Sequence, residues 1–525
     1  MTSRWRRRLA QQPDRLPSLP LRSRHLSNGE YLPPPRTRAD RDLETAAYAR
    51  AAAAADRLGV DRRRFLSSSA GVAAVLTAFN LAACSGDEPR AASTRRSTTT
   101  GGSTSTTSVP GGTFVVPEPE EVEACEQMLG GTEFIFDVHT HHVVPDGPWR
   151  DAAPRIEDMI LGLVPAGCNE ADPLRCLDRT AYLHDMFLAS DTTIALLSDV
   201  PNSGPLDAPV PWQEKRETRQ LADALTVAGH PRVLLHDVIA PNFGDLGQRL
   251  AEMEANAATG DLAAFKVYTA WGPGRQGYDL DDPAIGLPVV DKAHELGVRV
   301  MCAHKGLPLL EFDRRHNGPR DVVAVAAQYP DMDFIVYHGA YEIEATEGPY
   351  DPGRAMRGVN SLVKALDDHG IAPNANVHAE LGTTWRETLS APTEAAHVLG
   401  KLLTRVGENN VMWGTDGIWY GSPQPQIVAF RSFQISPELQ ERFGYPALTP
   451  ELKAKVFGLN AARVFGIDPM DLRCALDPDG LGAARAQAAS FRDDGVVDPW
   501  QPRGPSTRRE VLAWLARLRE PWTPV

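Results

Sequence analysis

The chain has 525 residues, 42% hydrophobic and 23% charged, an ordinary globular composition that excludes a collagen-like, fibrous or wholly disordered protein. Its formal charge of −14 is uneven: residues 1–66 hold 15 Arg and 7 acidic residues, net +8, which leaves −22 on residues 67–525. An acidic body argues against nucleic-acid binding, and no uninterrupted apolar run reaches the roughly 18 residues that a bilayer-spanning helix needs.

Residues 1–36 are rich in Arg, Pro, Ser and Leu without periodicity and read as disordered. From Ala39 to Leu58 an Ala-rich stretch predicts an exposed helix. Next, Arg62-Arg63-Arg64-Phe65-Leu66 precedes an apolar segment from Gly71 to Ala83 that ends in Leu81-Ala82-Ala83-Cys84. This resembles a twin-arginine export signal with a lipobox, which implies lipidation at Cys84 as the mature N-terminus, and an extracytoplasmic lipoprotein whose only membrane contact is that anchor. The plainer reading is a short helix after an arginine cluster, in a cytoplasmic protein. The Ser/Thr/Gly tract from Ser93 to Ser108 reads as a tether, so residues 1–84 are a leader and 85–131 a linker. In an oxidising compartment Cys168 and Cys176, within PAGCNEADPLRC, can pair. Cys302 lies in an apolar strand and is the expected buried free thiol.

From residue 132 short apolar strands alternate with amphipathic helical segments. The strands are Phe134–His139, Thr193–Val200, Val233–Ala240, Ala263–Tyr268, Val298–His304, Phe334–His338, Ala375–Glu380 and Asn410–Thr415. Near-continuous apolar strands separated by helices indicate a parallel sheet covered on both faces, and eight such units fit an α/β fold of the (β/α)₈ TIM-barrel type over residues 132–470. Residues 471–525, with a terminal RREVLAWLARL helix, form a C-terminal tail.

In a barrel of this type reactive groups sit at the C-terminal strand ends. The first strand ends in Asp137-Val138-His139-Thr140-His141, and alternation places His139 and His141 on one face, able to chelate one cation. His142 points away. Later strands end at His304, at His338, at His378 and Glu380, and at Thr415-Asp416, where apolar packing would end in turn residues.

The order HxH, His, His and Asp on strands 1, 5, 6 and 8 resembles the amidohydrolase superfamily. FDVHTH, YHGAY, WGTDG and GLNAARVFGI are similar to the amidohydrolase-related group that includes aminocarboxymuconate-semialdehyde decarboxylase and metal-dependent hydrolases. The resemblance implies that His139, His141, His304 and Asp416 ligate a divalent ion, with zinc the expected one. His338 is then a ligand or the general acid/base, and Asp416 also accepts a proton from the attacking water. Lys266, ending the fourth strand, either bridges a second metal as a carboxylated lysine or pairs with an acid. His378 and Glu380 either touch the substrate or make structural hydrogen bonds. Arg275, in the Gly-rich loop Trp271–Tyr278, either clamps a substrate carboxylate or faces solvent. The expected partner is a small molecule, turned over by hydrolysis of a C–N or C–O bond or, alternatively, by non-oxidative decarboxylation. A lipid-anchored binding protein without turnover is the reading from another class.

Overall fold

The computed structural model describes residues 19–21, 33–85 and 110–475, apart from 165–167, 169, 225, 227–229 and 309–311. All eight predicted strands form: β1 Phe136–Thr140, β2 Ile194–Leu197, β3 Val233–Ile239, β4 Leu262–Val267, β5 Val300–His304, β6 Asp333–Tyr337, β7 Val377–Glu380 and β8 Val411–Met412. They pair in parallel in sequence order. The first and last close on each other through the Thr140–Gly417 bridge and the Val138 N–H to Trp413 carbonyl bond of 3.1 Å, making the (β/α)₈ barrel. The runs are apolar throughout because one face fills the barrel and the other packs under helices. Phe136, Val138, Leu196, Leu234, Ala264, Val300, Cys302, Ile335, Tyr337 and Met412 form a buried cluster with residues such as Ala461 and Leu472.

The β1–β2 pairing shifts register between Asp137 and Thr140. Strict alternation would place Val138 and His139 on opposite faces. The irregularity lets Val138 stay in the interior cluster while His139 reaches the barrel mouth, the re-aiming that a bulge beside a site permits.

The Ala39–Leu58 helix expected to be exposed forms as α1, Arg38–Leu58, started by a Thr37–Asp40 capping box and stopped by Gly59 at φ 65°. It is not exposed. Leu43, Ala47, Ala51, Ala54 and Ala55, spaced three, four or one apart, are buried against α3, Ser69–Ser85, which follows the short α2, Arg62–Leu66. Propensity predicted the helix, but a row of small residues is also what lets two helices approach closely. Part of the expected linker is ordered too: Gly112–Phe114 pairs antiparallel with Phe433–Ile435, and α4 spans Val122–Leu129. Residues 1–18, the Ser93–Ser108 tract and the tail beyond Ala475 lie outside the described residues.

Cys168 and Cys176 are disulfide-bonded, Cys302 is a buried free thiol, and Cys84 is exposed. Among the described residues no helix is long and apolar enough to cross a membrane.

Candidate metal centre

The mouth of the barrel gathers the strand-end side chains. His139 Nε2 lies 3.5 Å and His141 Nε2 3.3 Å from Asp416 Oδ1, and all three residues are buried. Asp416 follows β8 in the left-handed backbone region at φ 60°, as do His338 at 61° after β6 and Thr383 at 58° after β7. A residue with a Cβ is strained there, and three such residues at adjoining strand ends mark a backbone held for the site rather than for stability. Thr383 Oγ1 donates to Asp416 Oδ2 at 2.8 Å and fixes which oxygen faces the imidazoles.

His304 and His338 approach with Nδ1 and Nε2 only 3.2 Å apart. Their other nitrogens face backbone carbonyls, His304 Nε2 at 2.6 Å from Leu307 and His338 Nδ1 at 2.8 Å from Gly382. A carbonyl only accepts, so those nitrogens carry the protons, and neutral rings would then face each other lone pair to lone pair. That arrangement calls for a cation. Buried Nδ1 atoms on His139 and His141 also lack a hydrogen-bond partner among the described residues.

Glu380, at the end of β7, is fully buried beneath these rings. Its Oε2 accepts the His338 N–H at 3.0 Å and lies 3.4 Å from His139 Nδ1, while Oε1 accepts the Gly382 N–H. Glycine is required on both sides: a Cβ on Gly414 would come within 1.8 Å of Glu380 Oε1, and one on Gly382 within 2.8 Å of His139 Nδ1. Asp137 ties the two ends of the barrel together, its Oδ1 accepting the His139 and Thr415 N–H groups at 3.1 Å and its Oδ2 the Thr415 hydroxyl.

Burial dominates the electrostatics. It holds His139, His141 and His304 below the ordinary imidazole value and His338 down at about 4, so the rings are neutral at pH 7. It pushes the Glu380 carboxyl up to about 8 and Asp137 up to about 7, with the nearby Asp416 charge adding to both. For Asp416 burial works in the same direction, but the side-chain hydrogen bonds from His141 and Thr383 outweigh it and hold the carboxylate below its usual range. Neutral imidazoles with an ionised carboxylate are the protonation states that metal ligation requires. Two sets of three buried donors, His139/His141/Asp416 and His139/His338/Glu380, each lie within 4.8 Å of one another. The donor chemistry therefore fits a divalent ion.

Lys266 joins this cluster. Its ammonium is 3.1 Å from His139 Nε2 and lies over the rings of Tyr268 and Tyr337 at 4.8 and 4.4 Å. His378 is elsewhere: it is the second residue of β7, two residues before Glu380, and its Nε2 meets Asp333 Oδ1 at 2.7 Å, a hydrogen bond to the first residue of β6. Arg275 is exposed at the Pro273–Arg275 turn and is not among the residues brought together.

His142 points away as expected, with Nε2 2.9 Å from the Thr218 hydroxyl, and burial holds it down at about 3. Its folded-state value is below the unfolded 6.5, so the unfolded chain takes up the proton first and this group lowers stability as pH falls from about 6.5 toward 3. The slope is roughly 1.4 kcal/mol per pH unit. His142→Gln is therefore expected to make the melting temperature less dependent on pH between 6.5 and 4 than in the parent chain, as thermal unfolding at several pH values would show.

Sequence reasoning missed the surroundings of these side chains. Trp419 stacks on His141 with centroids 5.5 Å apart, Tyr268 stacks on His304 at 5.2 Å, and Phe312 meets His304 edge-on at 5.3 Å. Tyr420 contacts the Thr383 hydroxyl at 3.1 Å and carries the Arg386 guanidinium over its ring at 4.2 Å. Trp419 and Tyr420 follow the WGTDG motif after a single residue, Ile418, which was the available signal.

In comparisons with known proteins, no curated relative matches this chain. Solved structures that it resembles include 2,6-dihydroxybenzoate decarboxylase from Rhizobium, 14% identical over 64% of this chain and 99% of that one, TM-score 0.36. A dihydroxybenzoic acid decarboxylase from Polaromonas sp., solved with bound manganese and the inhibitor 2-nitroresorcinol, is 13% identical over 64% and 97%, TM-score 0.38. An amidohydrolase from Mycobacterium avium subsp. paratuberculosis is 14% identical over 64% and 100%, TM-score 0.34. The amidohydrolase family model matches residues 136–467, which spans every strand of the barrel and the histidines and carboxylates gathered at its mouth. The chain belongs to the amidohydrolase family.

Proposed function

We propose that the protein is a metal-dependent hydrolase that cleaves a C–N or C–O bond next to a carbonyl in a small molecule. The observation that carries this reading is the convergence of His139, His141 and an ionised Asp416, with Asp416 Oδ1 at 3.5 and 3.3 Å from the two imidazoles. His139, His141, His304 and Asp416 are the proposed ligands, with zinc the proposed ion, since imidazole and carboxylate donors suit it. A divalent ion there supplies Lewis acidity toward a carbonyl and lowers the pKa of water.

The chain's own groups do the rest. Asp416, anchored at Oδ2 by Thr383, presents Oδ1 to take a proton from the attacking water. His338, with its Nδ1 proton held on the Gly382 carbonyl, presents an unprotonated Nε2 that takes up the proton which the water gave to Asp416 and delivers it to the leaving group. Trp419, Tyr268 and Phe312 surround the ligand rings and exclude water from them.

One observation favours a second reading. Those flat rings suit an unsaturated or aromatic acid, for which non-oxidative decarboxylation would use the same ligands. Incubating metal-loaded protein with acyl, lactone and aromatic-acid panels, and following both hydrolysis products and carbon dioxide, separates the two. Hydrolysis supports the first; carbon dioxide release without hydrolysis overturns it. Elemental analysis is expected to find about one divalent ion per chain. A content near zero that zinc cannot restore would refute the centre.

A further inference from the structure

We propose that α1–α3 remain part of the folded protein and buttress the loop that aims Asp416, instead of being trimmed away ahead of Cys84. The apolar run that resembles an export segment is α3. Val72, Ala73, Ala74, Val75, Leu76 and Phe79 along it have no exposed surface. One side of α3 lies on α1; the other meets α4, the Gly112–Phe114 strand and the helices Pro392–Arg405 and Gln424–Ser432 that surround the barrel. Cleavage before Cys84 would remove nearly all of α3 and leave that apolar face, Phe114 included, open to water.

The contacts are specific as well as apolar. Asn80, a polar residue inside the run, uses its amide on both backbone groups of Phe114: Oδ1 accepts the Phe114 N–H at 2.8 Å and Nδ2 donates to the Phe114 carbonyl at 2.7 Å. The Thr113 hydroxyl adds a third bond at 3.2 Å. In a lipid-inserting helix this amide would be a cost with no partner; here it reproduces the pairing of a neighbouring strand. Arg50 and Arg57 of α1 pair with Glu118 and Glu120. Gly71 allows the α2–α3 turn, because a Cβ there would come within 2.4 Å of the Phe65 carbonyl. Arg62, Arg63 and Arg64 are exposed, yet Phe65 and Leu66 of the same motif are buried, so a receptor that reads the whole motif needs this unit undocked.

A line of aromatic contacts leads from α3 toward the metal centre. Phe79 meets Phe114 at 6.5 Å, and Phe114 meets Trp385 at 6.4 Å. Trp385 is fixed by its Nε1–H to the Gln426 carbonyl at 3.0 Å and follows by two residues Thr383, the hydroxyl that orients Asp416. The unit is thus a support for the site.

The test uses the full-length chain with a protease site placed between Ser93 and Ser108. After cutting, the fragment ending before the cut is expected to co-elute with the barrel in size exclusion, with metal content unchanged. Release of that fragment, leaving a barrel with the same melting temperature and metal content, would overturn the proposal. In the uncut chain Phe79→Ala is expected to lower the melting temperature by about 5 °C and Asn80→Leu to lower it also; no change in either counts against it. Intact mass of the protein recovered from expressing cells reads the same question directly. A chain that begins upstream of Arg38 supports retention, and an acylated chain that begins at Cys84 defeats it.

Discussion

Asp416→Asn is expected to lower kcat on any substrate that the protein turns over by about 10³-fold, within the range for losing a positioned proton acceptor. The reason lies in the division of labour between its oxygens. Oδ2 is held by Thr383 at 2.8 Å, and Oδ1 is shared between His139 and His141. An amide keeps the shape but loses the charge and the basicity, so both the proton acceptor and an anionic ligand go. Steady-state kinetics with metal content measured on the same preparation is the check. Thr383→Val, which leaves the carboxylate but frees Oδ2, should cost far less in kcat and little in metal. If Asp416→Asn retained parental activity, the assignment of Asp416 as the proton acceptor would fail.

Glu380→Gln is expected to weaken metal binding by about 10- to 100-fold, as loss of a carboxylate behind a metal-ligating histidine does. Glu380 sits where three demands meet: the His338 N–H, the Gly382 N–H and the Nδ1 side of His139. Each Glu380 oxygen accepts a backbone N–H, whereas an amide must turn an NH₂ toward one of those donors. The rings of His139 and His338 then lose their fixed orientation. Chelator competition with the purified chain measures the affinity, and a parallel melting curve separates it from a loss of folding. Unchanged affinity with a lower melting temperature would make Glu380 a packing residue only.

The two histidines of strand sequences that look alike show what sequence could and could not reveal. His304 and His378 each lie in an apolar strand segment, but His304 is the last residue of β5 and His378 the second of β7. One opens onto the mouth and the other onto Asp333, the first residue of β6, and that difference depends on where pairing stops. β8 makes the same point: the predicted Asn410–Thr415 shortens to Val411–Met412 because the Trp413 N–H turns to the Val456 carbonyl and the Thr415 N–H to Asp137. The barrel itself was readable because its alternation of apolar runs and helices is local. The aromatic walls, the burial of α1 and the role of Thr383 were not, since each depends on partners brought from distant parts of the chain.

The Asp137–Thr415 contact joins residues 278 positions apart, and it is also the contact that brings the β1 histidines to Asp416. Loop closure over such a span is slow compared with helix formation or neighbouring strand pairing. A chain ending before Asp416 holds His139, His141 and His304 without the carboxylate on which the two β1 histidines converge. In a refolding time course, high-affinity capture of a divalent ion is therefore expected to lag behind the recovery of secondary structure and to keep pace with burial of Trp413, so the ion serves as a timer for the last seam of the barrel.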